Sequence, residues 1–256
     1  MDKCIVILII IIITLLITYL FYKYFHKNIY STADVINSFF EKNCDDPAVF
    51  SPMDFPWSQN FRNHWVLIKE EFLNYSNKYV VPEHNKINKI AASCDNNNKW
   101  KTLYLRIFGK NTKVADFFPI TMSLINMCPC TLAHFSVLGP RAKLTPHVGI
   151  YKGVLRYHLG LIVPKEWNEC FINVNGINLY WTEGNDIMFD DMFMHHVENN
   201  TDETRVILFL DIKRDFKNPF VNLVNDFFLK FVKSNDILDK TITNVNNFSS
   251  NYAIIQ

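Results

Sequence analysis

Glycine is scarce in this chain, and neither sign of charge is in excess. Only 7 of the 256 residues are glycine, and 26 Lys and Arg against 25 Asp and Glu leave a formal net charge of +1. With 22 phenylalanines and 11 tyrosines, this composition excludes a collagen-like or low-complexity chain and predicts an aromatic-rich core. Because there is no excess of basic residues, we do not expect the protein to bind nucleic acid.

Several motifs that carry chemistry are also missing. The chain has no glycine-rich phosphate loop, serine nucleophile elbow or kinase signature. Its six cysteines do not form two Cys-x-x-Cys units, which argues against a structural zinc site, and they leave the redox compartment open. The length is sufficient for one large or two small domains with a substantial core.

The longest hydrophobic run lies close to the N-terminus. Residues 4–22 carry no charge, and a helix of this length, rising roughly 1.5 Å per residue, would cross a hydrocarbon layer about 30 Å thick. The run is longer than the apolar part of a cleaved signal peptide, and no small-residue cleavage site follows it. We therefore predict a transmembrane signal anchor over residues 1–27, with a buried core helix as the alternative. The lysines on its two sides nearly balance, so charge leaves the orientation open.

After the run, the pattern changes twice. Residues 28–95 have apolar residues at helical spacing, including one stripe that we expect in the core: Trp65, Ile68, Phe72 and Tyr75. From about residue 100 to 215, short β-rich runs alternate with turn residues, which predicts an antiparallel sandwich or barrel. A further helical pattern ends near Lys233. We predict one domain over residues 28–232 and a loose polar tail over residues 233–256.

Five short motifs keep their order between Ser136 and Asp211. They are Pro-His-x-Gly at 146–149, Leu-Arg-x-His-Leu-Gly-Leu at 155–161, Trp-x-Glu-Gly at 181–184, Phe-Asp-Asp-x-Phe-x-His at 189–195, and an arginine in an apolar strand that ends in Asp-Ile. In this combination the chain resembles the aspartyl/asparaginyl β-hydroxylase family of iron(II)- and 2-oxoglutarate-dependent oxygenases, over roughly residues 55–215. The resemblance implies a mainly β fold with flanking helices: a double-stranded β-helix of the jelly-roll, cupin-like type, here preceded by the N-terminal transmembrane helix.

The candidate metal ligands form an unusual set. Non-heme iron(II) oxygenases usually hold their metal with two histidines and one carboxylate. His147 would be the first ligand, but the position two residues on, which lies on the same face of a strand, is Gly149 rather than an acid. The resemblance implies a glycine there, water in the place of the acid, and His195 as the second ligand. His196 would point to the opposite side of the strand and is expected to be structural.

The resemblance also places four residues at the co-substrate 2-oxoglutarate. The remote carboxylate of this dianion calls for a cation that makes two hydrogen bonds at once, and Arg205 is the candidate. Arg156 and His158 share a strand face nearby, and Ser136 would add a hydroxyl contact. We expect residues 198–204 to form a hairpin that brings the arginine beside the metal-bearing strand. The alternatives are surface ion pairs for both arginines and an ordinary strand hydroxyl for the serine.

Two further dipeptides predict turns rather than chemistry. Asp190-Asp191 could be mistaken for the acid pair of a hydrolase, but we expect it to shape a turn or to orient neighbours by hydrogen bonds. Glu183-Gly184 predicts a second turn.

The resemblance implies an oxidoreductase, a dioxygenase that uses iron(II), 2-oxoglutarate and O2 to hydroxylate an unactivated C–H bond. The resemblance favours the β-carbon of Asp or Asn in a protein substrate, for example in an EGF-like module. The alternatives are a lipid acyl-chain hydroxylase, which suits the short spacer after the anchor, and a catalytically silent β-helix that only binds. The resemblance further implies a membrane protein of the endoplasmic reticulum or secretory pathway with a luminal catalytic domain.

Overall fold

A computed structural model of the chain describes residues 12, 13, 16, 19, 29–87, 94, 95, 98–234 and 236–250. The four residues before residue 20 are helical, and the rest of the predicted anchor over residues 1–27 lies outside the described residues. Across the described part of the chain, no helix has both the length and the apolar character needed to span a bilayer.

Helices dominate the chain before residue 100, as the hydrophobic spacing predicts. They are α1 (Ile29–Glu41), α2 (Ser58–Asn63), α3 (Trp65–Ser76) and α4 (His84–Ile87), with a two-residue strand β1 (Val49–Phe50) between α1 and α2. Three residues of the predicted stripe, Ile68, Phe72 and Tyr75, are buried, and Trp65 packs beside them. The prediction that this stripe belongs to the core is therefore confirmed.

Strands follow from residue 100, interrupted by one helix and closed by two. The strands are β2 (Trp100–Ile107), β3 (Lys110–Asn111), β4 (Cys130–Leu138), β5 (Lys143–His147), β6 (Val154–Ile162), β7 (Cys170–Val174), β8 (Ile177–Tyr180), β9 (Asp186–Phe189), β10 (His195–Asn199) and β11 (Arg205–Lys213). The helices are α5 (Pro119–Ile125), α6 (Pro219–Lys233) and α7 (Asp236–Ser250).

The strands form two antiparallel sheets. The larger sheet has the order β1-β9-β6-β11-β4-β2-β3, and the smaller one has the order β5-β10-β7-β8. From β4 to β11 the chain passes back and forth between the sheets, so that β4, β11, β6 and β9 are neighbours in one and β5, β10, β7 and β8 in the other. This order is that of a double-stranded β-helix, and it confirms the predicted mainly β fold with flanking helices.

The larger sheet is covered on both faces. Because side chains alternate along a strand, successive residues of β11 enter different cores. Leu208 and Leu210 join the core under α2, α3 and α5, whereas Ile207 and Phe209 lie in the core between the two sheets. The candidate site is on this second, inner face.

The predicted hairpin after His195 is wrong. Strand β10 pairs with β5 and β7, whereas β11 pairs with β4 and β6, so residues 200–204 cross from one sheet to the other. Asn199 supports the crossover: its Nδ2 donates to the carbonyl oxygens of Gly139 at 2.9 Å and Glu203 at 2.8 Å. A turn-like sequence shows where a strand ends, but it does not show which sheet the next strand joins.

The segment after Lys233 also differs from the expected loose tail. Residues 236–250 form α7, and its Leu238 and Val245 are buried against Tyr104 and Ile107 of β2. These two apolar residues are seven positions apart, which is about two helical turns, so they share one face of the helix. The polar composition of the segment concealed this sparse periodicity.

Candidate functional site

Two histidines face each other on neighbouring strands of the smaller sheet. His147 ends β5 and His195 begins β10, and the strand register places them opposite each other with ring centroids 4.2 Å apart. His195 is 2% exposed, while His196 is only half-buried and points to the other side of the strand. The alternation of side chains therefore selects His195 from the adjacent pair.

The backbone holds both rings in the same tautomer. Nδ1 of His147 lies 2.6 Å from the carbonyl oxygen of Thr145, and Nδ1 of His195 lies 2.9 Å from that of Phe193. Because a carbonyl only accepts hydrogen bonds, each Nδ1 carries the hydrogen. Burial, assisted by the nearby charge of Arg156, lowers the pKa of both histidines, that of His195 to about 3. Both rings are thus neutral, and each Nε2 keeps the lone pair that a metal ion requires.

The space beside Gly149 is filled by the side chain of Asp191. A Cβ atom at position 149 would overlap the carboxyl group of Asp191, and the Gly149 N–H donates to the Asp191 carbonyl oxygen at 2.6 Å. Gly149 is not among the residues with positive φ. Glycine is therefore required here for close approach of two chain segments, and not for a left-handed turn.

The buried Asp191 and the partly buried Arg156 form an ion pair next to the histidines. Oδ2 of Asp191 lies 2.6 Å from Nη2 of Arg156, whose Nε donates to Asp211 at 3.2 Å. Burial raises the pKa of Asp191 to about 6, although Arg156 opposes the shift. For Arg156, burial lowers the pKa, but the two aspartates outweigh it and the net shift is upward. Arg156 is thus held between two acids inside the protein, and it is not part of a surface ion pair.

Asp190 is the centre of a second buried ionic network. It is fully buried, and its Oδ2 lies 2.7 Å from Nζ of Lys152 and 2.5 Å from Nη2 of Arg214. Its Oδ1 accepts the N–H of Met192 at 3.0 Å, which closes the turn between β9 and β10. The predicted turn-forming role of this residue is confirmed. No motif identified Lys152 or Arg214, because both reach Asp190 from distant parts of the chain.

Arg205 is a buried cation without an acidic partner among the described residues. Its Nη2 donates to Oγ of Ser136 at 3.0 Å, and its guanidinium lies over the ring of Trp181 at 4.6 Å. Burial lowers its pKa to about 10, so it remains charged at neutral pH. By contrast, the partly buried Arg156 and the buried Arg214 each contact an aspartate. A buried, uncompensated charge is costly, so this position calls for an anion.

The hydroxyl of Ser136 accepts two hydrogen bonds and donates none to another described residue. Its oxygen accepts from Nη2 of Arg205 and also from Nε1 of Trp100 at 2.9 Å. A hydroxyl has two acceptor positions and one donor, so these two bonds leave its hydrogen for an external acceptor.

More buried polar atoms near Arg205 lack a hydrogen-bond partner within the described structure. They are Nε of Arg205 itself, Nε1 of Trp181, both ring nitrogens of His158 and Nδ1 of His134. The rings of His158 and Trp181 have centroids 6.0 Å apart, and His134 stacks on Phe209 at 4.2 Å. Nε of Arg205, Nε1 of Trp181 and one nitrogen of the neutral His158 ring are donors, and buried donors are normally satisfied, so these three atoms match the acceptor oxygens of a group such as a carboxylate.

The structure brings the six predicted site residues together in one connected group. His147 contacts His195, and the ring of Phe189 links His195 to His158. Phe209 contacts His158 and Arg156, which confirms that these two residues share a strand face. Trp181 lies between His158 and Arg205, and Arg205 in turn donates a hydrogen bond to Ser136. Sequence reasoning had marked the Trp-x-Glu-Gly motif without assigning a contact to Trp181, and it had missed Trp100.

Fold and site together define a class of protein: a double-stranded β-helix with a facing pair of neutral histidines and a buried, unpaired arginine between its sheets. The profile of the aspartyl/asparaginyl beta-hydroxylase family matches residues 62–215. The chain belongs to this family.

Individual relatives differ in how much of their length is shared. The ornithine lipid ester-linked acyl 2-hydroxylase of Rhizobium tropici is 33% identical over 217 residues, covering 82% of this chain and 77% of that protein. Human aspartyl/asparaginyl beta-hydroxylase is 27% identical over 164 residues, which cover 60% of this chain but only 20% of the human protein. Among solved structures, KdgF from Halomonas sp. is 12% identical and covers 47% of this chain and 86% of its own, with a TM-score of 0.31. The fold assignment rests on strand order and not on this likeness.

We expect Gly149→Ala to destabilise the protein by about 1–3 kcal/mol, because the added methyl group overlaps the Asp191 carboxyl. Most of this cost should disappear in an Asp191→Ala background, where that carboxyl is absent. Urea denaturation of the two single variants and the double variant measures the coupling. An equal cost of Gly149→Ala in both backgrounds would show that the overlap is not its cause.

Proposed function

We propose that the protein is a membrane-anchored dioxygenase, dependent on iron(II) and 2-oxoglutarate, that hydroxylates an unactivated C–H bond. Residues 28–232 would be its catalytic domain. The observation that carries the proposal is the buried, unpaired charge of Arg205 in one contact network with two neutral histidines. When bound, iron(II), O2 and 2-oxoglutarate supply the oxidation of the C–H bond, with succinate and carbon dioxide as co-products.

His147 and His195 are the residues that would hold iron(II). The lone pair of each ring lies on Nε2, because each Nδ1 carries the hydrogen that faces a carbonyl oxygen. Among the described residues, no group of three or more His, Cys, Asp or Glu side chains is arranged to bind a metal ion. A site with two protein ligands and water, as the family resemblance implies, is compatible with this arrangement.

Arg205 would bind the remote carboxylate of 2-oxoglutarate. Ser136 offers its hydroxyl hydrogen beside the guanidinium, and His158 offers one ring N–H. Trp181 packs against the guanidinium and holds its plane in place. Arg156 has a different part, because Asp191 and Asp211 already compensate its charge. It would orient the Asp191 carboxyl beside the histidines and contribute less to co-substrate affinity.

Aromatic side chains would keep water out of the site. Phe189 and Phe209 lie in the core between the sheets and contact His158 on two sides. A low-dielectric, water-poor environment strengthens the interaction of Arg205 with an anion.

For the substrate, the family resemblance favours the β-carbon of Asp or Asn in a protein. A lipid acyl chain is the second candidate, favoured by apolar side chains that are about half exposed around the histidine pair: Val148, Ile150 and Met194. The name of the Rhizobium tropici relative points to the same chemistry. Mass spectrometry of lipids and proteins from cells with and without the enzyme separates the two candidates.

Replacing either metal-site histidine should abolish metal binding. His147→Ala or His195→Ala leaves a single imidazole, so Mn(II) titration by calorimetry should show no tight site and succinate formation should stop. His196→Ala is the matched control, because it removes the adjacent, outward-pointing histidine of the same strand. Circular dichroism monitors folding. Normal metal binding by a folded His147→Ala variant would contradict the assignment.

Arg205→Lys should weaken the binding of 2-oxoglutarate while retaining the charge. Losing one hydrogen bond to a charged group costs about 1.5–3 kcal/mol, or roughly ten- to a hundredfold in affinity. The KM for 2-oxoglutarate should therefore rise more than the KM for the prime substrate. Arg141→Lys is the control, since Arg141 lies on the surface and pairs with Asp202. An unchanged KM for 2-oxoglutarate would remove Arg205 from the co-substrate site.

We further propose that residues 1–27 anchor the protein in the membrane of the secretory pathway, with the catalytic domain in the lumen. The uncharged run over residues 4–22 supports the anchor, and the family resemblance supports the orientation. Protease added to intact microsomes should then leave the catalytic domain undigested. Its digestion before the membrane is opened would contradict this orientation.

A further inference from the structure

Helix α6 exposes large apolar side chains on the face opposite its packed side. The packed face contributes three residues to the core, Val221, Phe228 and Val232. Phe220, Leu223 and Phe227 are 62%, 64% and 73% exposed. Their spacing of three and then four residues places them on one side of the helix. A helix that is apolar on two opposite sides is typical of an element covered on both.

The exposed surface continues onto α1. Val35 is 64% exposed, and Phe39, one turn further along the same helix, packs edge-on against Phe220 with ring centroids 6.2 Å apart. We call these five residues the apolar stripe: Val35, Phe39, Phe220, Leu223 and Phe227. Contiguous exposed apolar surface of this kind marks an interaction site.

The position of the stripe in the chain points to a lipid bilayer as its partner. Only residues 23–28 separate the uncharged run from α1, and seven peptide steps can span at most roughly 25 Å. A bilayer that holds the run is therefore close to the start of α1. Exposed lysines lie at both ends of the α6 part of the stripe, Lys217 before it and Lys230 after it. Apolar residues bordered by lysines are the pattern of helices that lie in a membrane interface.

The described residues of the uncharged run over residues 4–22 do not cover the apolar stripe. Ile12, Leu16 and Tyr19 share one helical side, and each is more than half exposed. These three residues are therefore not packed into an apolar surface of the domain.

Helix α1 also connects the stripe to the histidine pair. Nδ2 of Asn37 donates to the Ile150 carbonyl oxygen at 2.8 Å, and its Oδ1 accepts the Lys152 N–H at 2.9 Å. The helix that carries Val35 thus holds the segment that directly follows His147. A membrane contact on this helix would bring the segment that follows His147 near the lipid.

We propose that the apolar stripe lies in the interface of the bilayer that holds the N-terminal run. The domain is then docked on the membrane by the stripe as well as tethered by the anchor. This inference rests on the proposed anchoring, and it makes a bilayer-resident amphiphile with an acyl chain the substrate class that reaches the histidines most directly.

Photocrosslinking of the full chain tests the docking without any requirement for activity. The photoreactive residue p-benzoylphenylalanine replaces Leu223 or Phe227, and the protein is reconstituted into vesicles of phosphatidylcholine with some phosphatidylglycerol. Matched controls carry it at Met53 or Met127, which are 71% and 63% exposed on other elements. We expect several-fold more lipid adduct at positions 223 and 227 than at either control.

Any other crosslinking result overturns the docking. Equal lipid labelling at all four positions would show that the stripe has no special contact with the bilayer. Adducts to residues 4–22 of the same chain, or to a second copy, would assign the stripe to those occupants instead. Consumption of 2-oxoglutarate is measured on the same samples. Its absence with lipid adducts present contradicts the catalytic proposal alone, and its presence without lipid adducts contradicts the docking alone.

Discussion

Strand β11 is buried on both faces, and the rest of the domain is arranged around it. It pairs with β4 on one side and β6 on the other, and each face enters a different core. The helical region before residue 100 covers the outer face, and the smaller sheet covers the inner one. Polar residues on the inner face are thereby removed from water, so each needs a partner inside the protein or from a ligand.

Some charged residues of the inner face have a partner of opposite charge inside the described part of the protein, and one does not. Arg156 is neutralised by two aspartates, and Asp190 by Lys152 and Arg214. Among the described residues, the partners of Arg205 are the Ser136 hydroxyl, the Ser136 carbonyl at 3.4 Å, and an aromatic ring. The described residues thus compensate Arg156 and Asp190 but not Arg205. This asymmetry separates the proposed co-substrate position from the ionic networks that hold the loops around it.

The contact between Gly149 and Asp191 shows how the site departs from the common ligand set. If the strand alternation continued beyond β5, which ends at His147, an acid at position 149 would lie on the same face as the His147 ring. Instead, the turn before β10 brings the Asp191 carboxyl against this glycine, and Arg156 holds it there. The missing acid is thus explained by a close approach of two segments that are distant in sequence. Glycine at this position permits the approach, and it is not needed for an unusual backbone angle.

The order of the sequence motifs was sufficient to predict the fold class and the residues that the structure brings together in the candidate site. Strand alternation in the sequence also separated His195 from His196, and helical spacing identified the stripe of α3. The sheet to which each strand belongs was not accessible, and the expected hairpin before Arg205 was wrong for this reason. The α7 helix was missed because its packed face has few apolar residues, Leu238, Ile242 and Val245, within a polar segment.

The sequence by itself determined which residue types recur at strand and helix spacing, since those periods are set by backbone geometry. The sequence thus determined whether each candidate side chain is charged in water, and which residues are its neighbours along the same strand. Only the tertiary structure decided which charges are compensated, because Arg156 and Arg205 look alike in sequence and differ only in the acids that other strands bring to them. Likewise, the exposure of Leu223 and Phe227 became visible only once the packed side of α6 was known. Burial and exposure are properties of the whole fold, so neither the uncompensated charge of Arg205 nor the exposed ring of Phe227 is visible in the sequence.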